Sequence, residues 1–299
     1  MSDARAAPAV AVLTHELDPA RAARARFLRA LSRTPVALIG AVLVSIVIIV
    51  AITAPVLAPH PPAAQIAKPL LPPGSSHPLG TDEFGRDELS RLIWGARVSL
   101  YVGGLAVLIA LGLGATAGVV AGFFGGWVDD VIMRIMDVVL SLPALVLAIA
   151  ITSVLGPTLT NAMLAIGLVY APTFARVARG PTLTVVQVPF IEAARAIGAS
   201  NWRIIARHVL PNVAAPILVQ MTVSFSTAIL TEAALSFLGL GTQPPTASWG
   251  LMLSAARQYM LIDPWIAVLP GLAIAMTVLG FNLLGDGLRD LLDPRMRTL

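Results

Sequence analysis

Four histidines, a single lysine and no cysteine are spread through the chain, so side chains able to serve as bases, metal ligands or activated nucleophiles are few. Hydrolysis inside a membrane needs a nucleophile with its base, or a set of metal ligands, within reach of one another. His15, His60, His77 and His208 all fall outside the long apolar runs, which argues against an intramembrane serine protease or a histidine-ligated metalloenzyme. Disulfides and thiolate metal sites are excluded with cysteine. A P-loop requires Gly-Lys-Ser/Thr, whereas Lys68 follows Ala67, so a driving energy source must be another protein or an ion gradient. One acid, Glu232, lies near the end of an apolar run. Ionisable groups within a span mark pathways and gates, so Glu232 is a candidate pathway or gate residue; the alternatives are a place in the headgroup region or a bond to local backbone.

A second stretch has chemistry of a mechanical kind. Residues 192–211 read EAARAIGASNWRIIARHVLP, with Arg195, Arg203 and Arg207 inside and Arg179 upstream. Strong helix formers fill 192–197. Gly198 ends that helix, because glycine takes a left-handed turn at little cost. Ser200 is placed to cap a second helix over 201–209, and Pro211 stops it or kinks it into the next span. Two short helices joined by a bend, at a membrane surface, suit a partner's groove.

These residues are held by apolar helices. The chain of 299 residues is 57% hydrophobic and 12% charged, about half the charge of a soluble domain. It is an integral membrane protein of the all-α class. Six spans are predicted, at about 35–57, 98–121, 131–154, 159–176, 212–234 and 264–284, the first of them long enough for a hydrocarbon core of about 30 Å. The uncharged run 138–174 is divided at Gly156-Pro157-Thr158. The spacing of Gly114, Gly118 and Gly122 allows a close helix neighbour, inside this subunit or in another. Asp18 and Pro19 read as N-cap and N1 of a basic interfacial helix. A secretory signal is disfavoured by its length and by the long apolar run that follows. After the first span comes a proline-rich, extended segment. Thr81 then starts an amphipathic, salt-bridged helix on the membrane surface, and Trp249 suits an aromatic belt.

The resulting organisation is a basic interfacial segment (1–34), a first span (35–57), a proline-rich extracytoplasmic segment with its amphipathic helix (58–97), a five-helix core (98–285) containing the hinge loop 180–211, and a tail (286–299). Of the 20 basic residues, fifteen fall on the side of the termini and hinge. Both termini are therefore predicted to be cytoplasmic. Basic residues spread over several loops do not form a nucleic-acid face.

The spelling of the hinge resembles the EAA loop of permease subunits in bacterial ATP-binding-cassette importers. The matching residues are Glu192, Ala193, Ala194, Gly198, Leu210 and Pro211, with Ala199 beside the glycine; His208 stands where the family usually has an aliphatic residue, next to Val209. The stretch LGTDEFGRDELSRLIWGAR resembles the segment before the second span in the dipeptide, oligopeptide and nickel branch. LSFLGLG, PP and WG after Glu232 resemble its C-type permease subunit, and GDGLRDLLDPRMR fits the same group. The likeness covers about 79–289.

It implies a six-helix type I importer permease in the bacterial cytoplasmic (inner) membrane. Its partners would be a second, homologous permease subunit forming a heterodimer, one or two ATPase subunits, and an extracytoplasmic substrate-binding protein. No cofactor would be bound by this chain, with ATP and Mg on the ATPase subunits. Residues 192–211 would be the coupling contact. The cargo implied is a dipeptide or oligopeptide; nickel complexes, glutathione or other peptide-like solutes are alternatives. From the residues alone, a stand-alone ion-coupled carrier using Glu232 is the rival reading.

Overall fold

The computed structural model describes residues 34–292. The basic helix expected within 18–33 and the end of the 286–299 tail lie outside them. Helix α1 (Pro35–Leu57) begins on a proline, whose missing N–H costs nothing in the first helical turn, and ends as the proline-rich segment starts. Helix α2 (Glu88–Phe124) is a continuous 37-residue rod. Then come α3 (Gly126–Leu140), α4 (Ala144–Leu155) and α5 (Leu159–Val186). The hinge carries α6 (Pro189–Ala196) and α7 (Asn201–Ile204), and a π turn (Ile205–Val209) leads directly into α8 (Leu210–Phe237). Helix α9 (Trp249–Ala256) precedes α10 (Trp265–Leu292).

Among the described residues five stretches are long and apolar enough to cross a membrane, and α3 with α4, bent by 88°, make a sixth if taken together. The packing favours counting them. A Cβ on Gly114 would strike Ala171, one on Gly118 would strike Ala175, and one on Gly122 would meet Thr182 and Arg179. Both numbers rise together, so α2 and α5 run parallel and finish at the same end. The chain between them must therefore return across the bundle, and α3 plus α4 is the only segment that can do so. The glycine series thus serves packing within this subunit.

By the same reasoning α8 runs antiparallel to α2, since Gly103 faces Ile229 and Phe225 while Ser99 reaches Glu232. Helix α10 runs antiparallel to α1, where Gly40 lies on Leu284 and Gly287 on Ala37. One end of the bundle thus carries the hinge. The opposite end carries residues 58–87 and 238–264.

Four expectations are corrected. The third span is broken at Ser141 to Pro143, because the residue before a proline avoids helical backbone. The second span and the helix preceding it are one element, so a boundary at 97 falls inside α2. That helix is capped by Asp87, whose carboxylate accepts from the Ser90 N–H at 2.8 Å, and not by Thr81. Gly80 and Gly85, both at positive φ and pressed on the backbones of Leu71 and Ala67, preclude helix before it. Trp249 is no belt residue. It is 2% exposed, with its indole against Gly95 and Nε1 donating to the Leu92 carbonyl at 3.0 Å.

Candidate functional site

At the hinge end, α6 starts on Pro189 and places Glu192 in its first turn, where a negative charge is favoured by the helix dipole. It stops as predicted. Gly198 has φ +79°, its N–H bonds the Arg195 carbonyl at 2.9 Å, and the Ala199 N–H bonds the Ala194 carbonyl at 3.0 Å. This pair of bonds closes the helix end around a left-handed residue. Ser200 accepts from the Arg203 N–H at 3.4 Å to open α7.

The second hinge helix does not stop at Pro211. It widens into the π turn and continues as α8, so the lever and the span are one 37-residue rod. The wider turn accommodates a proline that lacks its N–H, and Asn212 Nδ2 donates to the His208 carbonyl at 2.6 Å. Leu210 and Pro211 are exposed.

The hinge has two unlike faces. Ile191, Ile204, Ile205, Val209 and Val213 are buried on Ala115, Val119 and Phe123 of α2 and Ala178 of α5. Val209 occupies the aliphatic position beside His208, whose ring packs on Phe190 at 5.5 Å. The outward face presents Glu192, Ala193, Arg195 and Arg203, with Ile197 87% and Trp202 74% exposed. Large apolar side chains so exposed at a polar-flanked bend are the signature of a contact surface. The base is fixed by Arg179, which grips Asp129 through two nitrogens, and by Arg176, 2.6 Å from Asp137.

Glu232 is at the opposite end and is fully buried. It accepts from Ser236 at 2.7 Å, Thr242 at 3.2 Å and Ser99 at 3.4 Å. It thus joins α8, α2 and the loop after α8 within one hydroxyl nest, with no surface exposed among the described residues. The helix end beside it repeats the hinge device: Gly239 is at φ +78°, and the Leu240 N–H bonds the Leu235 carbonyl at 2.8 Å.

Around the start of α2 the charges expected to be solvated are buried. Asp82, Asp87, Glu88 and Arg91 are all below 4% exposure. The proline-rich segment covers them, and Arg86 and Arg91 both bond Asp82. Burial alone would raise the Asp87 carboxyl, but hydrogen bonds from the Ser90 hydroxyl, the His77 ring and the Ser90 N–H hold it below the ordinary aspartate range. Glu83 goes the other way, raised by burial. The meeting of His60, His77 and Asp87 was not visible in the sequence, where they are separated by long intervals.

The described residues thus form a helical membrane bundle with an exposed helical hinge at one end and a covered rim at the other. Residues 114–298 match the family described as binding-protein-dependent transport system inner membrane component. Residues 24–73 match the N-terminal TM domain of oligopeptide transport permease C. The chain belongs to the binding-protein-dependent inner membrane permease family.

A dipeptide transport system permease protein of Alkalihalophilus pseudofirmus is 47% identical, over 90% of this chain and 88% of that one. A probable D,D-dipeptide transport system permease protein of Escherichia coli K12 is 45% identical over 89% of each. A glutathione transport system permease protein of another E. coli strain is 45% identical over 94% and 93%. Among solved structures, the inward-facing MetNI methionine ABC transporter matches with a TM-score of 0.54 at 19% identity, over 66% of this chain and 93% of that one. The type I importer permease fold is common to both.

Proposed function

We propose that this chain is the permease subunit of an ATP-driven importer for dipeptides or oligopeptides, and that an ATPase subunit docks on the outward face of α6 and the Gly198 bend. The observation carrying this reading is the two-faced hinge. Its inner face is locked to α2 and α5, its outer face offers Ile197 and Trp202, and its second half is rigidly continuous with α8. A push on the bend is transmitted straight into a span. Closure of an ATPase dimer would draw two such hinges together, one from this chain and one from a homologous permease subunit. The spans would then rock to open the opposite rim to a binding protein.

Arginine bias supports placing the hinge in the cytoplasm, in the inner membrane. The dipeptide relatives support a peptide cargo, and the glutathione relative extends it to peptide-like solutes. Nickel complexes remain the other cargo implied by the sequence likeness. The same hinge counts against a stand-alone carrier.

The test is transport with Gly198→Asp and Glu192→Lys. A Cβ at Gly198 meets nothing within 4 Å, and aspartate enters left-handed backbone more readily than most residues. Glu192 is exposed, and reversing its charge changes the helix by only about 0.3–1 kcal/mol. Both variants are expected to insert normally while losing peptide uptake and co-purification of the ATPase. Wild-type uptake at normal protein level would sink the proposal.

A further inference from the structure

The rim opposite the hinge holds a group of side chains that the transport reading does not use. His60, in the proline-rich segment, His77, in the same segment, and Asp87, the N-cap of α2, each offer one ligand-type atom to the same neighbourhood. All three atoms lie within 4.8 Å of one another. We propose that this is a binding site for a borderline divalent cation of the zinc, nickel or copper class, and that the ion pins the proline-rich segment to the start of α2.

The donor set carries the proposal. Two imidazoles and a carboxylate are ligands typical of open zinc sites and of the later first-row metals, with bonds of about 2.0–2.2 Å. At that bond length, tetrahedral ligands stand about 3.4 Å apart. His77 Nδ1 and Asp87 Oδ1 are already 3.0 Å apart. From the 4.8 Å limit the third atom needs to move in by at most about 1.4 Å, which rotation of a half-buried imidazole can supply.

The surrounding bonds orient the set. Asp87 uses Oδ2 for the Ser90 N–H at 2.8 Å and the Ser90 hydroxyl at 2.7 Å, which turns Oδ1 toward the histidines. The same Ser90 oxygen accepts the His60 backbone N–H at 3.0 Å and so fixes where that residue stands. Ligands held by such outer hydrogen bonds are those that bind metals well. Among the described residues the His60 ring makes no hydrogen bond and only tilts against the His77 ring, with centroids 5.6 Å apart. Hard oxygen-seeking ions such as Ca2+ and Mg2+ do not match two nitrogen donors.

The bland explanation is a His77–Asp87 hydrogen bond with His60 as a neighbour, and it predicts no metal dependence. The experiment uses the full chain with its co-purifying partners, in detergent, prepared without a polyhistidine tag and stripped with chelator. Zn2+ is titrated by calorimetry, and Co2+ is added as a spectroscopic probe. One saturable site per chain is expected, together with visible Co2+ bands of a low-coordinate site and a Zn2+-dependent rise in Tm.

His60→Ala keeps the backbone bond to Ser90. It is therefore expected to leave the metal-free Tm unchanged while weakening Zn2+ binding at least about tenfold and abolishing the Tm rise. His77→Ala should weaken binding as strongly, but it also loses the Asp87 bond. The His60 variant therefore decides if His77→Ala fails to fold. No saturable binding to the wild type, or undiminished binding in His60→Ala, would overturn the proposal; the latter would mean the ion sits elsewhere. Neither result bears on the importer reading, because the hinge is at the other end of the bundle.

Discussion

Glu232 and Gly198 have opposite settings at the two ends of the bundle. Glu232 accepts from three hydroxyls drawn from α2, α8 and the following loop. A buried acceptor removed from such a nest leaves its donors unpaired, at about 1–3 kcal/mol for a group so stranded. Glu232→Ala should therefore lower the melting temperature in detergent and reduce the folded yield. Glu232→Gln, which keeps one acceptor oxygen and the same shape, should lose less. Equal stability of Glu232→Ala and wild type, by fluorescence-detected thermal melting, would show that the nest does not hold the rim. Gly198 has the opposite setting. Among the described residues nothing lies within 4 Å of a Cβ placed there, so its constraint is the left-handed turn.

Among the helices, the contact that fixes topology is the parallel pair α2 and α5, and it rests on glycine. A Cβ at Gly118 would drive into the Ala175 backbone, which cannot rotate away as a side chain can. Gly118→Val should separate the two helices and cost at least the 1–3 kcal/mol typical of overpacking. Gly112 lies in the same helix with open space around it. Gly112→Ala should be neutral, or up to about 1 kcal/mol stabilising through helix propensity. Size-exclusion profiles of the two variants, read side by side, check the pair; matching profiles would refute the close approach.

Element positions were largely legible in the sequence, because charge-free runs, glycine turns and prolines act locally. The break at Ser141 to Pro143 was missed because no charge or polar run marks it, although Pro143 was there to be read. The covered charges were misjudged for a different reason. Asp82, Arg86 and Arg91 look solvated along the chain, but they are buried where residues 58–80 return over them and where Met252, Ala256 and Ile266 close on Asp82 and Arg91. The same return brings His60 to His77 and Asp87, a meeting that no local pattern encodes.

For the whole molecule, the decisive quantity is the number of crossings, since it determines which ends of the helices share a side. Parallel α2 and α5 require α3 and α4 together to count as one crossing, giving six and placing residues 58–87 opposite the hinge. The chain has no cysteine, so single cysteines can be introduced without a background. Ser76→Cys and Ile197→Cys occupy exposed positions at the two ends. In intact cells or spheroplasts, a membrane-impermeant maleimide is expected to label Ser76→Cys and to spare Ile197→Cys. In inverted membrane vesicles the pattern should reverse, and bound ATPase should then shield Ile197→Cys. Labelling of both positions from the same side would mean that the bent pair does not cross. The hinge would then share a face with the proline-rich rim, and a push on Gly198 could not act across the membrane.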